Sequence, residues 1–377
     1  MRAPRTGPPI VKAVYFEQFA GPLSIQRVPD PTPPSHGIVV RVESTGICRS
    51  DWHGWQGHDR DVRLPHVPGH ELAGEVVALG SEVRRLAIGD RVTVPFVSGC
   101  GACRPCGRGD PQVCDRQFQP GFTHWGSFAE YVGLHYAEGN VVKLPEQLSY
   151  DAAASLGCRF VTAYRALVQL AQLRADETLV IFGCGGVGLS SLLIANALGA
   201  RSIVVDIDGE KLELARSLGA ELLIDAREPG VAARVREATQ GGADVSIDAL
   251  GSSAVLRQSL EALRKRGRHV QVGLLVGERN DPSVPMGLVI SNELVLYGSH
   301  GIAASAYPEV FRMIESRKVP LDRIIGPKLS LEQAPEQLAA LGQFNGVGIS
   351  LVHPGSSFAG TPRTQTAGTP TARASRN

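Results

Sequence analysis

From about residue 11 to residue 150 the apolar positions come in short runs, among them Gly37–Val42, Leu72–Leu79 and Asp90–Val94, each broken by Gly or Pro. Runs of this length between turn residues predict strands, so the stretch reads as a β-rich unit with long loops. Around residue 150 the texture changes to helices alternating with buried strands. The segments are Thr178–Phe182, Gly186–Leu198, Ser202–Val205, Glu210–Leu218, Glu221–Ile224, Val231–Thr239, Val245–Ile247, a helix over Val255–Arg266, and His269–Val272. That alternation predicts an α/β unit with a doubly wound parallel sheet. A strand at Leu294–Tyr297, a helix near Ala306–Arg317 and mixed structure to His353 follow, with no internal repeat. Residues 1–10 and about 354–377 are rich in Pro, Gly, Ser and Thr with little to bury, which predicts disordered tails.

Composition narrows the function. A chain of 377 residues is about right for two domains, and 43% hydrophobic with 20% charged residues is globular. Lys+Arg 38 against Asp+Glu 37 leaves a formal charge of +1, so no long-range field draws the chain to nucleic acid or to an anionic membrane. Small-molecule partners are expected instead. No run approaches the roughly 18 apolar residues of a membrane span, and Met1 to Pro9 lack the apolar core of a signal peptide, so a cytoplasmic location is expected. Seven cysteines are too sparse for a disulfide scaffold, and where they cluster they point to metal.

After the apolar strand Thr178–Phe182 comes Gly183-Cys184-Gly185-Gly186-Val187-Gly188, opening a helix. The glycines Gly183, Gly185, Gly186 and Gly188 suit a tight turn and close backbone approach to a pyrophosphate, which the helix N-terminus favours. The next strand ends in Asp206, placed to accept hydrogen bonds from an adenosine ribose and to repel a 2′-phosphate, so NAD is expected over NADP. Cys184 reads as a small filler.

Cys100, Cys103, Cys106 and Cys114 follow the pattern C-x2-C-x2-C-x7-C in a Gly-rich loop. Four thiolates so close can surround zinc with no open position, a structural role. The last gap and the following Asp115 differ from a ferredoxin iron–sulfur run.

Three further segments hold Cys, His and acids: GICRSDWH (46–53), PGHELAG (68–74) and SLGCRF (155–160). Spacing alone does not join them, and Pro68 and Gly69 break any helix between His66 and His70. With the four-Cys lobe and GCGGVG, in this order, they resemble the zinc-containing medium-chain dehydrogenase/reductase family, and within it the alcohol dehydrogenases, from about Val11 to Leu351. The resemblance implies a GroES-like catalytic domain (11–158 and 294–353) around a Rossmann NAD-binding domain (159–293), and a dimer or tetramer. It implies two Zn²⁺ per chain, the catalytic one on Cys48, His70 and Cys158, with Glu71 behind the metal and Asp51 orienting His70. It further implies a proton relay through Ser50 and His53, and cofactor contacts from Arg49, Val187, Lys211 and Val272. Phe96 and Phe128, with Trp52 or Trp55, would line an apolar substrate channel. Two thiolates and a neutral imidazole leave such a site formally neutral with a fourth position open, where an alcohol is acidified before hydride passes to the nicotinamide.

Cys158 stands where polyol and threonine dehydrogenases of the family present a carboxylate, and the zinc-free quinone reductases lack these ligands. Another zinc dehydrogenase, acting on polyols or glutathione-adduct aldehydes, and a non-catalytic NAD-binding zinc protein remain the alternatives. The chain departs from the family near its C-terminus. Many relatives carry an Arg touching the cofactor phosphate there, whereas GVGISLV has Ile349 or a neighbour, which shifts more of that contact to Arg49.

Overall fold

The computed structural model describes residues 10–276, 281–343 and 346–355. The expected disordered tails fall outside these residues, apart from Ile10, which opens a strand, and Pro354 and Gly355.

Six parallel strands form one sheet in the order Leu222–Asp225, Arg201–Asp206, Thr178–Phe182, Ala243–Asp248, Leu263–Gln271, Val295–Gly298. The order reverses between Thr178–Phe182 and Ala243–Asp248, which makes the carboxyl ends of these two strands the ligand-binding crevice of a doubly wound fold. All five residues of Thr178–Phe182 are buried, as an apolar strand covered by helices on both faces requires.

The second sheet runs in the order Ile325–Ser330, Ile349–His353, Ile38–Gly46, Glu71–Leu79, Arg91–Thr93, Val142–Lys143, with Tyr131–Leu134 also paired to Ile38–Gly46. Alternate residues Ile38, Val40 and Val42 point into one core with Leu72, Val76, Val92 and Leu134. A two-stranded ribbon, Ile10–Tyr15 with Ser24–Pro29, lies apart from both sheets.

Two sequence expectations are corrected. The helix predicted over Val255–Arg266 ends at Glu261, and Leu263 already pairs with Ala243. Its basic run does not cap a helix: from the strand, Arg264 reaches Asp244 and Arg268 reaches Glu177 (2.6 Å). The boundary drawn at 293/294 also moves, because Val295–Gly298 pairs in parallel with Leu263–Gln271 and completes the cofactor sheet.

Candidate metal and cofactor site

The helix Arg49–Trp55 starts at Cys48, and its Asp51 gathers two chain segments. Asp51 Oδ2 accepts from the Cys48 backbone N–H at 2.9 Å, while Oδ1 accepts from the Gly69 N–H at 3.0 Å and from His70 Nδ1 at 2.8 Å. Gly69 must be glycine: its φ is +106°, and a Cβ there would strike Phe128. The third segment arrives on the helix Tyr150–Ser155, whose N-cap Ser149 accepts from the Ala152 N–H at 3.1 Å. It continues into a π-helical turn, Leu156–Phe160, which carries Cys158. Such turns interrupt the regular ladder and re-aim a side chain.

The structure thereby brings Cys48, His70, Glu71 and Cys158 together, with one ligand atom of each within 4.8 Å of all the others. His70 is fully buried and its Nε2 has no hydrogen-bond partner among the described residues. With Nδ1–H committed to a carboxylate, Nε2 offers a lone pair to the cluster. Cys48 is held well below the ordinary thiol range, first by a hydrogen bond from Cys158, while Cys158 is driven well above it. A histidine nitrogen with no hydrogen-bond partner, set beside two cysteine sulfurs, is the donor chemistry of zinc, so the residues fit that ion. Both Glu71 oxygens are engaged by Arg159: Nε donates to Oε1 at 2.8 Å and Nη2 donates to Oε2.

Cys100, Cys103, Cys106 and Cys114 form the second cluster, again with ligand atoms within 4.8 Å of one another. The Cys103 and Cys114 sulfurs are 3.6 Å apart. A tetrahedron with Zn–S of about 2.3 Å has S···S edges of about 3.8 Å, so this spacing fits a closed site. The Cys114 sulfur accepts backbone N–H groups from Cys100 (3.2 Å) and Arg116 (3.3 Å), which offsets part of the burial that raises this thiol.

At the cofactor crevice, Gly183 has a φ of +97°, and a Cβ at Gly188 would collide with the Gly183 carbonyl. The helix Gly186–Leu198 begins with Gly185 as its N-cap, so the N–H groups at the loop around Val187 face the crevice. Asp206 Oδ2 accepts from the Cys184 N–H at 2.6 Å and Oδ1 from the Asp208 N–H at 2.9 Å, so this carboxylate also shapes the loop. Lys211 pairs with Asp208 at 3.4 Å, and the Val272 N–H donates to the Asp248 carbonyl at 3.1 Å beside the same strand ends.

The aromatic residues divide. The Phe96 ring meets His70 edge-on at 6.2 Å and stays at the cluster. Phe128, expected along the channel, is instead fully buried in a core with Val14, Ile47 and Val352, because it fills the space that Gly69 leaves. Trp55 is tied by its indole N–H to the Gly21 carbonyl (2.9 Å), and Trp52 lies under the Arg49 guanidinium at 4.5 Å. Arg49 also donates to the Leu341 carbonyl. Ser50 Oγ sits 3.8 Å from the Cys48 sulfur, and His53 Nδ1 is 2.9 Å from His58 Nδ1.

Sequence reading missed Phe122, 5.0 Å from His70, along with His58, His300 against Phe96, and Arg159. An Arg following Cys158 in an otherwise apolar run was the one available signal.

Residues 34–146 match the alcohol dehydrogenase GroES-like domain family, and residues 186–316 match the zinc-binding dehydrogenase family. The NAD-dependent alcohol dehydrogenase of Sulfurisphaera tokodaii is 34% identical over 356 residues, 91% of this chain and 100% of that protein. The chain belongs to the zinc-binding alcohol dehydrogenase family. The alcohol dehydrogenase of Geobacillus stearothermophilus is 36% identical over 70% of this chain and 78% of its own length. Among solved structures, the alcohol dehydrogenase from Thermus sp. ATN1 superposes with a TM-score of 0.83 at 32% identity, covering 91% of this chain and 99% of that one. As a member of this family the chain is a zinc-dependent oxidoreductase of alcohols that uses NAD. No helix among the described residues is long and apolar enough to cross a membrane.

Proposed function

We propose that this chain oxidises mostly apolar primary or secondary alcohols to aldehydes or ketones, reversibly, at the Cys48–His70–Cys158 cluster. The observation that carries this reading is the unpartnered, buried Nε2 of His70 set among two cysteines, with the Phe96 and Phe122 rings beside the imidazole. Zinc held by these three side chains supplies an acid strong enough to favour loss of an alcohol's proton near neutral pH. Ser50 takes that proton on its hydroxyl, which can accept and donate at once. His53 passes it to solvent, and its partner His58 stands at the exposed end of the route. Two aromatic faces next to the cluster offer no partner for the extra hydroxyls of a polyol, whose loss of water would cost roughly 1–3 kcal/mol each.

We assign the second zinc to Cys100, Cys103, Cys106 and Cys114. The cofactor unit of this reading runs from about residue 159 to Gly298 and the catalytic unit comprises the rest of the described chain. A homo-oligomer is also part of it. The outer strand Val295–Gly298 leaves Val295 and Leu296 exposed, with Ile290 and Met286 exposed on the helix before it, an apolar edge suited to a second copy of the chain.

The test is kcat/KM with NAD across hexanol, benzyl alcohol, 2-octanol, sorbitol and threonine. Apolar alcohols should lead. A higher value for sorbitol or threonine than for all of them would overturn the substrate assignment. In the same assay Ser50→Ala should lose orders of magnitude in alcohol oxidation with zinc retained, and His53→Gln should lose less.

A further inference from the structure

Arg159 follows Cys158 on the π-helical turn and is only 7% exposed. A guanidinium is kept out of water only where its donors find acceptors. Nε and Nη2 are spent on the two Glu71 oxygens, and Nη1 makes no hydrogen bond within the described residues. Its stem lies directly on the cofactor loop: a Cβ at Gly186 would overlap Arg159 Cδ and fall 3.1 Å from Nε. On the other side a Cβ at Gly46 would stand 2.8 Å from Nη2 and overlap Glu71. Two glycines, one ending the strand Ile38–Gly46 and one opening the helix after the cofactor strand, therefore make room for one side chain. Gly186 is the first residue of the helix Gly186–Leu198, whose unpaired N–H groups and dipole favour phosphate.

We propose that Arg159, steered by Glu71, is a cofactor-binding residue that donates from Nη1 to the pyrophosphate of NAD. It fills the part that the resemblance gave to a C-terminal Arg, which the strand Ile349–His353 lacks. Arg49, the other candidate, directs Nη1 to the Leu341 carbonyl and lays its guanidinium on Trp52. Glu71 thereby acts as the positioning residue for this cation. The inference rests on the NAD reading of the glycine loop.

The test is the dissociation constant of three probes on zinc-loaded protein: NADH, ADP-ribose and adenosine, of which only adenosine lacks the pyrophosphate. Arg159→Gln should weaken NADH and ADP-ribose about tenfold or more, the weight of a hydrogen bond to a charged group, and leave adenosine unchanged. Arg159→Lys should restore part of that loss, since it keeps the charge without the planar fork. Because the Gln variant strands the buried Glu71 carboxylate, the double variant Glu71→Gln/Arg159→Gln is measured beside it and should show the same selective loss. Equal weakening of all three probes, or none, in the folded variants would overturn the proposal. Failure of the parent protein to bind NADH would instead overturn the reading of the loop itself.

Discussion

His70 donates from Nδ1 to Asp51 Oδ1 across 2.8 Å, with both side chains fully shielded from solvent. The carboxylate can only accept, so the contact fixes the imidazole tautomer and turns Nε2 toward the cysteines. Because Asp51 also holds the Cys48 and Gly69 backbone, its loss should be felt by more than one metal ligand. Asp51→Asn is expected to weaken zinc binding at this cluster by about 10–100-fold, read as faster transfer of one zinc per chain to a competing chelator. A transfer rate equal to that of the parent would show that the carboxylate does not organise the site.

The two clusters should separate by mutation. Cys106→Ser is expected to remove one zinc and a large part of the thermal stability, because it opens a closed four-sulfur site. Cys48→Ser should abolish activity with the fold retained. Elemental analysis of unchelated protein giving fewer than two zinc ions per chain would contradict the assignment of both clusters.

Asp206, the residue expected to meet the adenosine ribose, also accepts the Cys184 and Asp208 N–H groups. Replacing it with Gly should raise the ratio of kcat/KM for NADP over NAD, through loss of repulsion, and should also lower both values by loosening the loop. The ratio is the decisive quantity, and a parent enzyme that already favours NADP would refute this role.

His135 offers a pH test away from the metal cluster of His70. Burial, followed by the charges of His124 and His36, lowers it to about 4, and its ring stacks on Phe118 at 4.6 Å. A histidine whose folded value lies below its unfolded value of about 6.5 takes up a proton on unfolding, so its share of stability is present above about pH 6.5. That share is lost as pH falls toward 4. His135→Phe keeps the stack and removes the proton, so its Tm should fall less than the parent's between pH 7 and pH 5. Parallel Tm curves for the two proteins would rule out this contribution.

The sequence was most informative where one local pattern determines the result. The strand Thr178–Phe182 and the helix Gly186–Leu198 were legible to the residue, since a short apolar run, a glycine turn and a helix-length, largely apolar stretch succeed one another. The four-Cys lobe was legible because all its donors lie within one loop. What it could not show was contact across the fold. Phe96 and Phe128 both look like channel residues in one dimension, and only the packing against Gly69 puts Phe128 in the core. Phe122 carries no local mark at all, and comes to His70 through the loop that follows the cysteines. The strand Val295–Gly298 was seen as a strand, but its sheet depends on a long-range pairing that no pattern encodes.

One hydrophobic core contains Leu156 and Phe160 of the π-helical turn, Leu179, Ile181 and Val245 of the parallel sheet, and Ile349 and Leu351 of the mixed sheet. Covalent order suggests a nucleotide module inserted into a metal module, yet neither could be cut out without leaving an oily wound. The chain should therefore melt in a single cooperative step, and a fragment holding the parallel sheet alone should aggregate rather than fold. Swapping cofactor modules between relatives would succeed only if the residues flanking Cys158 travel with them.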